Sequence, residues 1–225
     1  MPDCLVCGLP TALRLCAGCQ MDLPYYEAVQ QQRICQCCAK IFTIETDSDL
    51  DYCGACLVDS PAYQRTYAIF HYDYPINQLI AQAKYSADLV VLHQLAELMA
   101  QRFDIDSKPD CLIPIPMHAW HLRWRGFNQS LVLANYVGKV HQIPVDYRHC
   151  VCVRYPKKQA SLNAKQRLKN VKGLFAVKVK NLAYQHVLIV DDVMTTGATV
   201  NELSKVLLQA GVKRVSVLCC ARAML

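Results

Sequence analysis

Residues 187–200 read Val-Leu-Ile-Val-Asp-Asp-Val-Met-Thr-Thr-Gly-Ala-Thr-Val. Two adjacent carboxylates, Asp191 and Asp192, lead into a turn built from Thr195, Thr196, Gly197, Ala198 and Thr199. Such a turn can aim consecutive backbone N–H groups and hydroxyls at one phosphate, and a helix starting there adds a favourable dipole. The carboxylates would repel the same phosphate, so they must face something else. Vicinal ribose hydroxyls sharing a magnesium ion meet that need. A lone Asp-Asp pair reads as an ordinary solvated turn. The ordered string of apolar strand, carboxylates, Thr/Gly turn and helix is a phosphate-binding motif in its required context.

A second chemistry is concentrated at the other end of the chain. Nine of the fourteen cysteines precede residue 57, among them four CxxC pairs: Cys4/Cys7, Cys16/Cys19, Cys35/Cys38 and Cys53/Cys56. Each pair offers two thiolates on one side of a metal, and two pairs close a tetrahedral zinc site. The simplest grouping places Cys4, Cys7, Cys16 and Cys19 on one zinc and Cys35, Cys38, Cys53 and Cys56 on another. Cys37, inside the third pair, leaves the ligand choice there open. One CxxC would be compatible with reduced core cysteines; four in so short a segment point to metal. Four thiolates per ion leave no place for a catalytic water, so these zincs are structural and supply much of the folding energy of a segment with little core.

The intervening chain must position the phosphate turn. Residues 65–74 are rich in β-formers and predict a strand. Residues 76–86 and 89–102 carry apolar residues at helical spacing. Residues 111–116 form a short buried strand stopped by prolines; 127–141 is helical, 145–153 extended, and 163–171 a short polar helix. A strand at 186–190, a helix at 200–210 and a strand at 214–221 follow. Strands alternating with helices predict an α/β domain: a largely parallel sheet with helices on both faces, whose C-terminal edge is where such sheets bind ligands.

Charge divides the chain in the same place as cysteine does. Residues 1–62 hold three Lys/Arg against eight Asp/Glu, a net of −5, while 63–225 hold 21 against 10, a net of +11. A boundary near Asp59-Ser60-Pro61 gives a Cys-rich module over 1–62 and an α/β domain over 63–225. A basic body predicts an anionic partner. The 53% apolar content excludes a mostly disordered chain. No run reaches the roughly 18 apolar residues of a membrane span. The opening Met1-Pro2-Asp3-Cys4 has neither the basic nor the apolar region of a signal peptide. Clustered free cysteines fit a reducing cytoplasm.

The 187–200 segment resembles the phosphoribosyl pyrophosphate loop of type I phosphoribosyltransferases. The whole chain resembles the ComF family, whose members pair an N-terminal zinc ribbon with a phosphoribosyltransferase-like domain. That likeness rests on the four CxxC pairs, Lys84-Tyr85, Ile113-Pro-Ile-Pro116, Arg125-Gly-Phe-Asn-Gln129, residues 159–175 and the phosphate loop. It implies that Asp191 and Asp192 contact the ribose hydroxyls and that Thr195, Thr196, Gly197, Ala198 and Thr199 cradle the 5′-phosphate. It places Pro116-Met117-His118 in the loop that meets pyrophosphate, with His118, Arg123 and Arg125 as candidate contacts. Residues 148–180 carry ten Lys/Arg and no Asp/Glu. In that stretch Lys157, Lys158 and Arg167 are candidates to meet pyrophosphate or a nucleic-acid backbone. Tyr72, Tyr74, Tyr85 and Trp124 are able to stack on bases, although core packing is the commoner use of such residues.

The resemblance implies binding of phosphoribosyl pyrophosphate with magnesium, and handling of single-stranded DNA taken up in natural transformation, alongside other DNA-uptake proteins. Catalysis stays open. A phosphoribosyltransferase would need an acceptor site that no motif here identifies, and a nucleotide-sensing regulator would need only the ligand site.

Overall fold

A computed structural model describes residues 2–27, 32–43, 51–105, 107–155, 171–179 and 181–224. The Cys-rich head contains helix α1 (Ala17–Met21), the antiparallel pair β1 (Gln32–Ile34) and β2 (Ile41–Thr43), and helix α2 (Gly54–Val58). The body opens with β3 (Arg65–His71), α3 (Ile76–Tyr85) and α4 (Leu89–Arg102), close to the bounds expected from periodicity. β4 (Cys111–Pro114), α5 (Ala119–Arg125) and α6 (Gln129–His141) follow. A two-stranded hairpin of β5 (Cys150–Cys152) and β6 (Phe175–Val177) precedes β7 (His186–Met194), α7 (Ala198–Gln209) and β8 (Arg214–Arg222).

Four strands form one parallel sheet in the order β3-β8-β7-β4. Alternation along each strand sends side chains to two separate cores. Leu188 and Val190 of β7, with Leu112 of β4, pack under α3, α4 and α6. Val187 and Ile189, with Cys111 and Ile113, pack under α7 and the hairpin. The strands are buried on both faces and read as apolar runs, as parallel strands covered by helices must.

The crossovers explain where the crevice falls. From β3 the chain moves across the sheet to β4 over the first face, and from β4 through α6 to Val145, which makes a parallel bridge to Leu112 beyond β4. It returns to β7, and from β7 to β8, over the opposite face. Opposite directions on opposite faces give every crossover the same hand. The chain therefore leaves β4 one way and β7 the other, which opens a crevice between their C-terminal ends.

Two sequence expectations need correction. β7 continues past 190 to Met194, so Asp191 and Asp192 lie inside the strand rather than after it. β8 extends to Arg222 and supplies partners, pairing Asp191 with Cys219, Val193 with Ala221 and Met194 with Arg222. The extended stretch expected over 145–153 divides in two: Val145 joins the sheet edge by one bridge, and Cys150–Cys152 pairs with β6 instead. The helix expected over 163–171 falls, but for Val171, outside the described residues.

The head is docked on the body's open edge. Tyr26 N–H donates to the Ile69 carbonyl at 2.9 Å and His71 N–H to the Pro24 carbonyl at 2.8 Å, so residues 24–26 add an antiparallel segment to β3. Thr66 N–H donates to the Gln36 carbonyl at 3.0 Å, and the Thr66 hydroxyl to the Cys37 carbonyl at 2.6 Å. An edge strand whose backbone groups are taken up this way cannot template pairing with another chain.

Candidate functional site

β7 carries Asp191 and Asp192 to the crevice, and Gly197, in the left-handed region at φ 76°, turns the chain into α7. A Cβ there would lie 2.7 Å from the Tyr63 hydroxyl and 2.9 Å from Met194 Cε, so only glycine fits. Thr196 Oγ1 accepts from Ala198 N–H at 3.3 Å, folding the turn against the helix start.

Asp191 is 9% exposed and accepts from the Ser130 hydroxyl at 3.3 Å through Oδ1, which also takes the Asp192 N–H at 2.9 Å. Burial raises its pKa above the ordinary carboxylate value, and the neighbouring Asp192 charge adds to the rise. Asp192 pairs with Lys84 of α3, Nζ to Oδ2 at 2.7 Å. Burial, the largest influence on Lys84, pulls its pKa down. The charge and hydrogen bond of Asp192, joined by the Asp191 charge, together outweigh burial and hold the ammonium above the usual lysine value. The repulsion that two carboxylates would exert on a phosphate is thus offset by a cation that the sequence places far away. Lys84 was visible only as part of the Lys84-Tyr85 match, and nothing in the spacing signals its pairing with Asp192.

Two cavities meet at this pair. One, of about 320 Å³, is lined by Tyr72, Lys84, Asp191, Asp192 and the turn from Thr195 to Thr199, Thr196 excepted. The other, of about 170 Å³, shares Lys84, Asp191, Asp192 and Thr199 and continues to Pro116, His118, Arg125 and Phe175. His118 caps α5, its Nδ1 accepting from Trp120 N–H at 3.2 Å, and so holds a ring at the mouth of the second cavity. Arg125 donates to Gln129 Oε1 at 3.1 Å; its own Nε and Gln129 Nε2 are buried without a hydrogen-bond partner. Unsatisfied buried donors are uncommon in native folds and mark capacity for an acceptor.

The expected residues divide three ways. Asp191, Asp192, Thr195, Gly197, Ala198, Thr199, His118 and Arg125 line one crevice, with Thr196 on the far side of the turn. Arg123 points to solvent and lines neither cavity. Lys157, Lys158 and Arg167 lie outside the described residues. Core packing, the commoner expectation for the aromatics, fails for Tyr74, Tyr85 and Trp124, which are 62%, 74% and 72% exposed. They sit at the ends of short helices and turns, where no second layer covers them. Tyr72 alone packs against the core, and it lines the first cavity.

Both cysteine quartets assemble as grouped. In each, the four sulfurs lie within 4.8 Å of one another. Cys7 and Cys16 Sγ are 3.8 Å apart, and Cys38 and Cys53 Sγ 3.6 Å. A tetrahedron with Zn–S bonds of about 2.3 Å has edges of about 3.8 Å, so either set could hold zinc. Cys37 stands outside the second quartet. Its thiol donates to the Tyr63 carbonyl at 3.3 Å, and burial pushes its pKa up to about 11.

Residues 150–224 match the phosphoribosyl transferase domain family, a span that includes the turn with β7, α7 and β8. Competence protein F of Haemophilus influenzae is 31% identical over 217 residues, 93% of this chain and 90% of that protein. The DNA utilization protein YhgH of Escherichia coli K12 is 31% identical over 229 residues, 93% of this chain and 97% of that protein. Among solved structures, the glutamine phosphoribosylpyrophosphate amidotransferase of B. subtilis aligns over 57% of this chain and 26% of its own, with 19% identity and a TM-score of 0.39. The fold is that of a type I phosphoribosyltransferase-like sheet with flanking helices. With near-complete coverage at that identity, the chain belongs to the ComF family, the family of competence protein F.

Proposed function

We propose that this protein binds phosphoribosyl pyrophosphate with magnesium and acts on single-stranded DNA during its uptake in natural transformation. The observation that carries the ligand assignment is the junction of two cavities on one carboxylate pair. The 5′-phosphate sits in the turn from Thr195 to Thr199, on its backbone N–H groups and the Thr195 and Thr199 hydroxyls. Asp191 and Asp192 take the two ribose hydroxyls, with Lys84 balancing their charge. The pyrophosphate then extends into the second cavity, toward Arg125 and His118. Asp191 and Asp192 form an all-oxygen donor set suited to a hard cation, and magnesium held there with the sugar hydroxyls would neutralise the pyrophosphate. Zinc in each cysteine quartet stabilises the head, which spans residues 1–62 beside a transferase-like domain over 63–225.

The DNA reading is supported by relatives named for competence and DNA utilization and by the +11 charge of residues 63–225. Lys157, Lys158 and Arg167 belong to that reading as backbone contacts. No described helix is long and apolar enough to cross a membrane, and a reducing cytoplasm suits free thiols at every described cysteine.

A second reading, phosphoribosyl transfer, rests on one observation: the second cavity has an apolar wall of Ile115, Leu174 and Phe175 against which an acceptor would lie. There an acceptor would bond to the anomeric carbon while pyrophosphate departs with the electron pair.

Calorimetric titration of the zinc-loaded protein with phosphoribosyl pyrophosphate and magnesium tests the ligand reading. Saturable binding is expected, lost in Asp191→Ala/Asp192→Ala and weakened at least tenfold in Lys84→Met. An absence of binding by the wild type at millimolar ligand would refute it. Release of pyrophosphate on adding DNA or free nucleobases would select the transferase reading.

A further inference from the structure

The phosphate turn is a thin wall. On its other side lies a cavity of about 350 Å³, lined by Thr195, Gly197 and Ala198 from the turn and by Cys38, Cys53 and Cys56 from the second cysteine quartet. What stands between the quartet and the turn is a short list of contacts. Arg222, at the end of β8 and 6% exposed, donates from Nε to the Cys38 carbonyl at 2.9 Å. From Nη1 it donates to the carbonyls of Met194 at 3.0 Å, Thr195, and Ala223 at 2.7 Å. One guanidinium therefore joins the CxxC knuckle at residues 35–38 to the last carbonyl of β7 and the first of the phosphate turn. Tyr63, 3% exposed, forms a second strut. Its carbonyl accepts from Cys37 and its hydroxyl abuts Gly197. Asn201 of α7 closes the frame, accepting from Ala62 N–H at 2.7 Å while its own N–H donates to the Gly197 carbonyl at 2.9 Å.

We infer that Arg222 is a positioning residue through which the second zinc site holds the phosphate turn in its ligand-binding shape. The fork geometry of a guanidinium, with donors fixed in one plane, is what lets one side chain hold carbonyls of two separate segments in register. A buried arginine needs compensating negative charge. Zinc with four thiolates carries a net charge of about −2, and Arg222 lines the same cavity as three of those cysteines. Loss of zinc removes that charge and the fixed knuckle together. Arg222 is then free to swing away, and the turn loses its backing. The first quartet plays no such part, because its residues pack with the opposite core, under α3 and α4. The coupling is reciprocal: if zinc in the second site tightens ligand binding, ligand must tighten that zinc by the same factor.

The inference about ligand affinity rests on the phosphoribosyl pyrophosphate reading; the inference about the turn's shape does not. Hydrogen exchange of the ligand-free full-length protein separates them. Amides of residues 194–201 are expected to exchange at least tenfold faster in Arg222→Met and in Cys56→Ser than in the wild type. Arg222→Met should retain two zincs per chain, and Arg222→Lys, with charge but no fork, should fall between. Arg214→Met, at the opposite end of the same strand, should leave that segment unchanged. In the ligand arm, saturating phosphoribosyl pyrophosphate with magnesium should slow chelator extraction of one zinc in the wild type but not in Arg222→Met. A merely stabilising role for Arg222 would not produce that difference. Wild-type exchange over 194–201 in both Arg222→Met and Cys56→Ser would overturn the inference whatever the ligand does. If Arg222→Met does not fold, the same comparison in Arg222→Lys and Cys56→Ser decides it. Wild-type protein that binds no ligand, yet shows zinc-dependent protection of the turn, would sink the ligand reading and leave this one standing.

Discussion

Lys84 and His186 show how far a residue's chemistry depends on neighbours that its sequence context does not reveal. Lys84 is one lysine on an amphipathic helix, and only folding brings it 2.7 Å from Asp192. His186, at the start of β7, is buried beside Ser216, with Nε2 3.0 Å from the hydroxyl and Nδ1 3.1 Å from Arg214. Burial first, and the Arg214 charge second, lower its pKa to about 4. A base depressed in the folded state and ordinary in the unfolded state, near pH 6.5, makes the folded protein the poorer proton binder at intermediate pH. Its contribution to stability is full above about pH 6.5 and is lost as pH falls toward 4. Urea unfolding of the zinc-loaded protein should therefore show stability falling between pH 7 and 5.5 by on the order of 1 kcal/mol. His186→Gln should flatten that part of the dependence, and an unchanged slope in the variant would assign it to other groups. The carboxylate pair and the threonines of the turn were legible by type and order. The cation that makes them compatible with a phosphate was not.

At the scale of elements, periodicity located α3, α4, α6 and α7 well because their stripes face a continuous core, and it missed α5, which buries no residue. Helix α4 was placed to the residue over Leu89–Arg102, starting at an Asp88 cap that accepts from Val90 and Val91 N–H. Strand ends were less legible, since whether backbone stays paired depends on the length of the neighbouring strand. β7 outran its apolar run because β8 did. One close approach tests the frame that aims the crevice. Gly138 of α6 lies where an added Cβ would sit 2.7 Å from the Ile143 carbonyl and 2.8 Å from Val145 Cγ2. Neither the backbone carbonyl nor the bridge to β4 can retreat cheaply. Gly138→Ala should cost about 1–3 kcal/mol by chemical denaturation, despite its better helix propensity. A neutral or stabilising effect would mean that the 138–145 return packs more loosely than described.

For the whole molecule, the head and body act as one unit along β3. Residues 24–26 and the knuckle at 36–37 take up the backbone groups of that edge. Stripping zinc should release both, so chelator-treated protein is expected to melt well below the holo form and to associate as concentration rises. Scanning calorimetry with light scattering would check this, and a monomeric, unshifted apo form would count against edge protection by the head.

The sequence by itself determined the groups available to this protein: two cysteine quartets, a carboxylate pair and Thr/Gly turn on a buried strand, and a basic body behind an acidic head. Those are matters of residue type, spacing and local periodicity, which survive without knowledge of the fold. Tertiary structure alone decided that Lys84 balances Asp192, that Cys37 donates to Tyr63 outside the quartet, and that Arg222 stands between a cysteine quartet and the Thr/Gly turn. Each joins residues distant along the chain, and such contacts depend on strand order and crossover direction, which the local pattern of apolar and polar residues does not encode.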